Sequence, residues 1–206
     1  AETLRQMADM LLQKEKEFGH EIWLISDEPY RELAYGPEGS WVPSIYDNTL
    51  VCYSWSKSLS LPGDRIGYVL VPNEVEESER VMFAVAGAGR ALGYICAPVF
   101  FQRVIAACVD EPVNASAYAA NRELLTQGLD ELGYHYIAPD GAFYLWMQAL
   151  EPDAQAFSDK AKEHELLLVP SDSFGVGGWV RVSYCVSADV IRNSMPAFAA
   201  LKRDYE

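Results

Sequence analysis

The chain has 206 residues, half of them hydrophobic, enough for one large domain or two small ones with packed cores. Its 16 basic and 30 acidic residues give a net charge of −14, and the basic residues are scattered rather than gathered into a stripe that could track phosphates, so nucleic acid is excluded as an expected partner. No apolar run approaches the ~20 residues needed to span a bilayer and no charged-then-apolar leader opens the sequence, so the expectation is a soluble protein with no membrane partner.

In chain order, Leu4, Met7, Ala8, Leu11 and Leu12 fall at helical spacing, and Phe18-Gly19 reads as the stop of that first helix. The continuous apolar run Ile22-Trp23-Leu24-Ile25 predicts a strand buried on both faces, hence a covered, mostly parallel sheet. Pro37, Gly39 and Pro43 mark a loop. Thr49 to Ser54 is the next strand, and Leu61-Pro62-Gly63-Asp64 turns into a third at Arg65 to Val71. Three strands with an intervening helix give an α/β signature. Helices are expected from Glu74 to about Arg90 and around Val99 to Val109.

The pattern breaks at Glu111-Pro112-Val113-Asn114, which predicts a domain boundary, with one domain over residues 1–112 and a second over 113–206. The second would hold an amphipathic helix from Ala115 to Leu132 ended by Gly133. After it come a strand at Ala142 to Met147, a helix from about Asp153 to Glu165, strands at Leu166 to Val169 and Trp179 to Cys185, and a closing helix near Ala188 to Lys202. Cys52, Cys96, Cys108 and Cys185 lack metal-ligand spacing and a short disulfide framework, so they read as reduced core thiols in a cytoplasmic protein. His20, His135 and His164 lie far apart without ligands at useful spacing, and no metal site is expected.

Chemistry gathers at two strand ends. Asp27 and Tyr30, in Ser26-Asp27-Glu28-Pro29-Tyr30, follow the first strand directly, at the edge where open α/β sheets bind ligands. Taken alone, Asp27 also fits a simple cap, and Tyr30 a buried tyrosine. The second cluster, Ser54-Trp55-Ser56-Lys57-Ser58, ends the next strand, and Arg65 follows in Gly63-Asp64-Arg65-Ile66-Gly67.

Together these segments resemble the fold type I pyridoxal phosphate enzymes, specifically the class I and II aminotransferases of the aspartate aminotransferase kind. Ser54-Trp55-Ser56-Lys57 is similar to their Ser-x-Ser-Lys, Gly63 to Gly67 to their Gly-x-Arg-x-Gly, and Asp27-Glu28-Pro29-Tyr30 to their Asp-x-x-Tyr. Gly141-Ala142-Phe143-Tyr144-Leu145 looks like a strand of the family's small domain, and Arg181 in Trp179-Val180-Arg181-Val182-Ser183 matches the arginine that receives the substrate carboxylate. The resemblance implies an α/β chain: the C-terminal part of a large cofactor-binding domain with a mixed, mostly parallel sheet, followed by a small α/β domain.

It also implies roles. Lys57 would carry pyridoxal 5'-phosphate as a Schiff base and shuttle the substrate's α-proton. A free lysine is mostly protonated at neutral pH, so that chemistry asks for desolvation or positive neighbours such as Arg65. Asp27 would keep the pyridine nitrogen protonated, and Tyr30 would donate to the phenolic oxygen. Ser54, Ser56 and Arg65 would share the phosphate, and Arg181 would fork onto the substrate carboxylate, the bland alternative for it being a solvated strand arginine.

The family's upstream motifs, namely Asn-Pro-x-Gly, a ring-stacking aromatic and a glycine-rich helix start, do not occur in residues 1–206. The expectation is therefore an N-terminally truncated aminotransferase of low activity alone. Its whole form would act on an amino acid and a 2-oxo acid, as a homodimer. A carbon–sulfur lyase, a cyclopropane-forming synthase of the same fold, and an aminotransferase-like sensor domain of a transcriptional regulator are the alternatives.

Overall fold

The computed structural model describes residues 2–36 and 39–206, and they divide into two compact units, Ala1–Glu32 with Pro37–Val113, and Leu33–Gly36 with Asn114–Glu206. The first unit opens with α1 (Glu2–Phe18), closed by Gly19 in the left-handed region at φ 73°. Strand β1 (Leu24–Asp27) runs parallel to β2 (Thr49–Ser54), with Leu24 opposite Thr49 and Asp27 opposite Cys52. The short helix α2 (Trp55–Ser58) follows, then β3 (Gly67–Leu70), which pairs antiparallel with β2. Helices α3 (Ser78–Ala91) and α4 (Val99–Cys108) complete the unit.

The sheet is mixed, as expected, in the order β1-β2-β3 with one parallel and one antiparallel pairing. Other expectations are corrected: among the described residues β1 reaches β2 through two 3-10 turns, Arg31–Leu33 and Val42–Ser44, rather than through an α-helix. Strand β1 is not buried on both faces. Ile25 is 65% exposed and Trp23 45%, because a continuous apolar run buries both faces only where elements lie on both. Helix α3 starts at Ser78, since Glu77 ahead of it sits at φ 51° and the Val75 N–H turns back to the Pro72 carbonyl. The thiols are not core groups: all four cysteines are free, with Cys96 and Cys185 exposed and the other two half-buried. The core of this unit gathers Ala8, Val42, Tyr46, Val51, Ile66 and Ile105.

The second unit begins with α5 (Ala115–Glu131), whose first turn is capped by the Asn114 side chain accepting from the Ala117 N–H at 3.2 Å. After it come β4 (Tyr136–Ile137), β5 (Tyr144–Gln148), α6 (Ala154–Lys162), β6 (Val169–Pro170), β7 (Trp179–Ser183) and α7 (Ala188–Arg203). The sheet order is β4-β5-β7-β6 and every pairing is antiparallel. Period-two alternation sends Leu145, Met147, Val180 and Val182 to the core with Leu129, Phe157, Phe198 and Leu201. Each such burial is worth about 1.5–3 kcal/mol. Helices α5 and α7 approach closely at Gly128, where a Cβ would lie 2.2 Å from the Met195 sulfur.

All three strands expected in this unit differ in their bounds, β7 by stopping at Ser183 rather than Cys185. Residues 166–168 form no ladder: the Leu166 N–H bonds the Ala161 carbonyl at the end of α6, and the Leu168 carbonyl accepts from Ser158 Oγ at 2.7 Å. Strand β5 starts two residues later than expected because Ala142 sits at φ 59°, off the extended backbone of a ladder. No helix among the described residues is long and apolar enough to cross a membrane.

Candidate active site

Parallel pairing brings the C-terminal ends of β1 and β2 side by side, because Asp27 stands opposite Cys52 and the Glu28 N–H continues the pairing to the Cys52 carbonyl at 2.8 Å. Asp27 and Ser54 thus close adjacent strands. The neighbouring acid is otherwise engaged: Glu28 accepts from Arg31 Nε at 2.7 Å and from Ser26 Oγ at 2.8 Å, a pairing the sequence did not announce. Burial, with the charge of Asp27 as a second cause, pushes the Cys52 thiol up, so it stands beside the carboxylate as a neutral thiol.

Ser54 caps α2. Its Oγ accepts from the Ser56 N–H at 3.1 Å and lies 2.6 Å from the Ser56 hydroxyl. Lys57, one residue further, reaches back across the strand ends, with Nζ 5.6 Å from the centre of the Tyr30 ring. An amine following β2 and a phenol following β1 are therefore neighbours.

The second motif is tied to the first through Ile66, whose carbonyl accepts from the Trp55 N–H and from Ser54 Oγ, both at 3.4 Å. Arg65 precedes it at φ 52° and donates from Nη1 to the Pro62 carbonyl at 2.9 Å. The closing glycine of that motif has a steric reason. A Cβ on Gly67 would lie 2.3 Å from the Tyr53 carbonyl oxygen across the ladder. Tyr53 anchors this corner: its hydroxyl donates to Glu32 at 2.9 Å and lies 2.8 Å from Ser58 Oγ, from which it accepts, and burial pushes it up to about 12.

A cavity of about 290 Å³ opens beside the site, lined among the described residues by Asp27, Tyr30, Ser26 and Arg31 with parts of α1 and the loop before β2. The structure brings Lys57 to Tyr30 and groups Ser54, Ser56 and Ile66, but only Asp27 and Tyr30 of the expected site line this cavity. Among the described residues no group of three or more His, Cys, Asp or Glu side chains is placed to hold a metal ion.

Arg181 lies in the second unit, in the middle of β7 and opposite Trp146 of β5. Alternation places it on the sheet face away from the core, half-buried. Its guanidinium carbon lies 4.4 Å from the centre of the Tyr144 ring and 5.0 Å from that of Phe174, and among the described residues it makes no hydrogen bond or ion pair. Sequence reasoning did not single out Tyr144 or Phe174; the period-two spacing of Tyr144 and Trp146 on β5 was the available signal.

The profile of the family "Aminotransferase class I and II" matches residues 3–198. An aspartate/prephenate aminotransferase of Thermus thermophilus is 30% identical over 192 residues, covering 87% of this chain and 48% of that protein. An aminotransferase from Eubacterium rectale, of known crystal structure, is 53% identical with a TM-score of 0.94, covering 100% of this chain and 52% of that one. A Thermus thermophilus aspartate aminotransferase mutant complexed with tryptophan is 26% identical with a TM-score of 0.82. The chain spans about half the length of the relatives it matches.

Proposed function

The chain belongs to the aminotransferase class I and II family, and on that premise we propose that it is the C-terminal part of an enzyme moving an amino group from an amino acid to a 2-oxo acid. Pyridoxal phosphate is the cofactor of this family. The donor set of the first unit fits it: a carboxylate closing β1, an amine 5.6 Å from the centre of a tyrosine ring, two hydroxyls 2.6 Å apart, and a guanidinium in the turn joined to them through Ile66.

When bound, the cofactor supplies a conjugated ring that draws electron density from the substrate's α-carbon. The chain's own residues do the rest. Lys57 Nζ would hold the cofactor through its aldehyde and, once the substrate's amine has displaced it, the freed amine would take the α-proton and return it. The Asp27 carboxylate accepts the hydrogen bond of the ring nitrogen and keeps that proton in place. Tyr30 donates its hydroxyl to the phenolic oxygen, while Ser54, Ser56 and Arg65 hold the phosphate. Arg181, with its N–H groups committed to no carboxylate among the described residues, receives the substrate carboxylate.

In this reading the first unit holds the cofactor and the second receives the substrate. The apolar surface exposed at Ile25, along β3 and on α3 and α4 supports assembly with the rest of the protein and with a second copy. Residues 1–206 alone would bind cofactor weakly and turn over little. Four free thiols support a reducing, cytoplasmic location.

The observation that carries the proposal is the approach of Lys57 to Tyr30 from separate strand ends. Its test is borohydride reduction of the full-length holoenzyme followed by peptide mass mapping. The reduced cofactor is expected on Lys57 and absent from a Lys57→Ala variant; label on a different lysine would overturn the assignment.

A further inference from the structure

Among the described residues Arg181 differs from Arg31, Arg65 and Arg122 in its lack of a hydrogen-bond acceptor, although Arg31 and Arg122 each lie over one ring as well, Trp41 at 4.4 Å and Tyr35 at 4.5 Å. Arg31 is paired with Glu28, while Arg65 and Arg122 each donate to a backbone carbonyl, of Pro62 and Pro139. Arg181 instead has two aromatic rings beside its guanidinium and no hydrogen-bond acceptor among the described residues.

The arrangement follows from the strands. On β5 the alternation that buries Leu145 and Met147 turns Tyr144 and Trp146 to the opposite face, and on β7 the same alternation turns Arg181 to it. Phe174 ends the 3-10 turn Ser171–Phe174, just before Gly175 at φ 78°, and meets Trp146 edge-on at 5.5 Å. Trp146 therefore backs Phe174, and Phe174 and Tyr144 flank the cation.

We infer that Tyr144 and Phe174 are positioning residues for substrate capture: their rings hold the Arg181 guanidinium in one orientation and leave its N–H groups for a carboxylate. The inference rests on Arg181 as the carboxylate receptor. An arginine has several freely rotating bonds and five N–H donors. A carboxylate or carbonyl partner would fix the side chain by occupying those donors, whereas a ring contact fixes it through electrostatic attraction to the ring and spares them. Phe174 is 48% exposed, so its face of the sheet stays open to a ligand while the ring does its work.

The consequence is a kinetic signature. Losing a ring loosens the receptor before substrate binds, which weakens ground state and transition state alike and raises KM with little change in kcat. A purely structural role would lower the amount of folded enzyme and shift its melting temperature without that split.

The test uses the full-length holoenzyme. The twenty standard L-amino acids are screened in the first half-reaction, read by the change in cofactor absorbance, and the fastest is taken as substrate. Tyr144→Leu and Phe174→Leu are expected to raise KM for it about tenfold each, with kcat within about twofold of wild type. Tyr144→Phe, which keeps the ring, is expected to bring KM back to within about threefold of wild type. Arg181→Met, which removes the fork, is expected to raise KM about 100-fold or more.

If Arg181→Met leaves KM near wild type, or if wild type converts none of the twenty, the receptor reading fails and this inference with it. If Arg181→Met raises KM while Tyr144→Leu and Phe174→Leu do not, the receptor stands and the positioning role is overturned. Should Tyr144→Leu fail to fold, the exposed Phe174 position and the Tyr144→Phe comparison decide the matter alone.

Discussion

Tyr46 donates its hydroxyl to Oε1 of Glu15 at 2.8 Å, and that same oxygen accepts from the Ile22 N–H at 3.0 Å and Asn48 Nδ2 at 3.1 Å. One carboxylate on α1 therefore binds the entrance to both strands that carry the site. The Ile22 N–H, and after it the two side-chain donors, hold Glu15 below the ordinary value of 4.5. A depressed carboxylate contributes stability that is present above its unfolded value and lost as pH falls through the folded one. Urea midpoints measured from pH 7 down to about 2.5 should therefore fall below about pH 4.5, and Glu15→Gln should remove part of that fall. At neutral pH, Glu15→Ala should cost about 1–3 kcal/mol, because three donors lose their acceptor. Parallel acid limbs for wild type and Glu15→Gln would mean the carboxylate carries no such linkage.

Burial, with Glu15 as the second cause, pushes the Tyr46 hydroxyl up to about 12. Stability held by the neutral phenol is fully present below the ordinary value of 10 and is lost as pH rises through about 12. Tyr46→Phe should flatten that alkaline limb while being less stable than wild type at neutral pH. An alkaline limb unchanged in Tyr46→Phe would assign it to another group, such as Tyr53.

Where the sequence is punctuated, the structure follows it. Thr49–Ser54 forms a strand with the expected bounds, set between Asp47-Asn48 and the cap at Ser54, and Asp27 closes β1 as its place after the apolar run implied. Gly67 was legible as a motif, and the structure adds the Tyr53 carbonyl that excludes any larger residue. What was not legible depends on partners distant in sequence. The exposure of Ile25 is decided by what covers a sheet face, and the antiparallel pairing of β3 by which strand end its turn returns to. Leu33–Gly36 joins the second unit because Leu33 and Tyr35 bond backbone groups at residues 140–142, more than a hundred positions away. The rings around Arg181 come from β5 and from a 3-10 turn, elements no local pattern connects to β7.

Asp27 offers a test of the electrostatic part of the proposal. Glu28, next in sequence, is taken by Arg31 and Ser26, so it is not placed to substitute for Asp27. Asp27→Asn in the full-length enzyme is expected to lower kcat by roughly 10²- to 10³-fold, the scale on which loss of one preorganised electrostatic partner is felt. The Lys57 adduct should remain reducible by borohydride. A kcat within tenfold of wild type would remove Asp27 from its role at the ring nitrogen.

Arg65 separates function from stability. Its φ of 52° is costly for any residue with a Cβ, by about 1–2 kcal/mol, and strain of this kind persists where the surroundings demand it. Arg65→Gly relieves the strain and removes the guanidinium; Arg65→Ala removes the guanidinium and keeps the strain. Both are expected to weaken pyridoxal phosphate binding by about 10- to 100-fold, measured by titrating the apoprotein. Only Arg65→Gly should keep or raise the melting temperature of the apoprotein. Equal cofactor affinity in Arg65→Gly and wild type would take the arginine out of the phosphate site.

Ala142 and Gly141 make a pair whose substitutions should act with opposite sign. Ala142 holds the left-handed region at φ 59° because its backbone is fixed from several sides: its N–H donates to the Leu33 carbonyl at 2.8 Å, and its carbonyl accepts from the hydroxyls of Tyr184, at 3.1 Å, and Tyr35. None of these bonds uses the methyl group. Ala142→Gly therefore keeps every partner, relieves the strain, and is expected to stabilise the protein by up to about 1 kcal/mol after the added freedom of the unfolded chain is subtracted. At Gly141 the situation is reversed: a Cβ there would stand 2.9 Å from the Leu33 carbonyl oxygen, a backbone atom that cannot swing aside without breaking the bond to Ala142. Gly141→Ala is expected to cost about 1–3 kcal/mol. Denaturant midpoints of the two variants decide the point, since shifts of the same sign would show that the contact between Leu33 and residues 141–142 does not fix this turn.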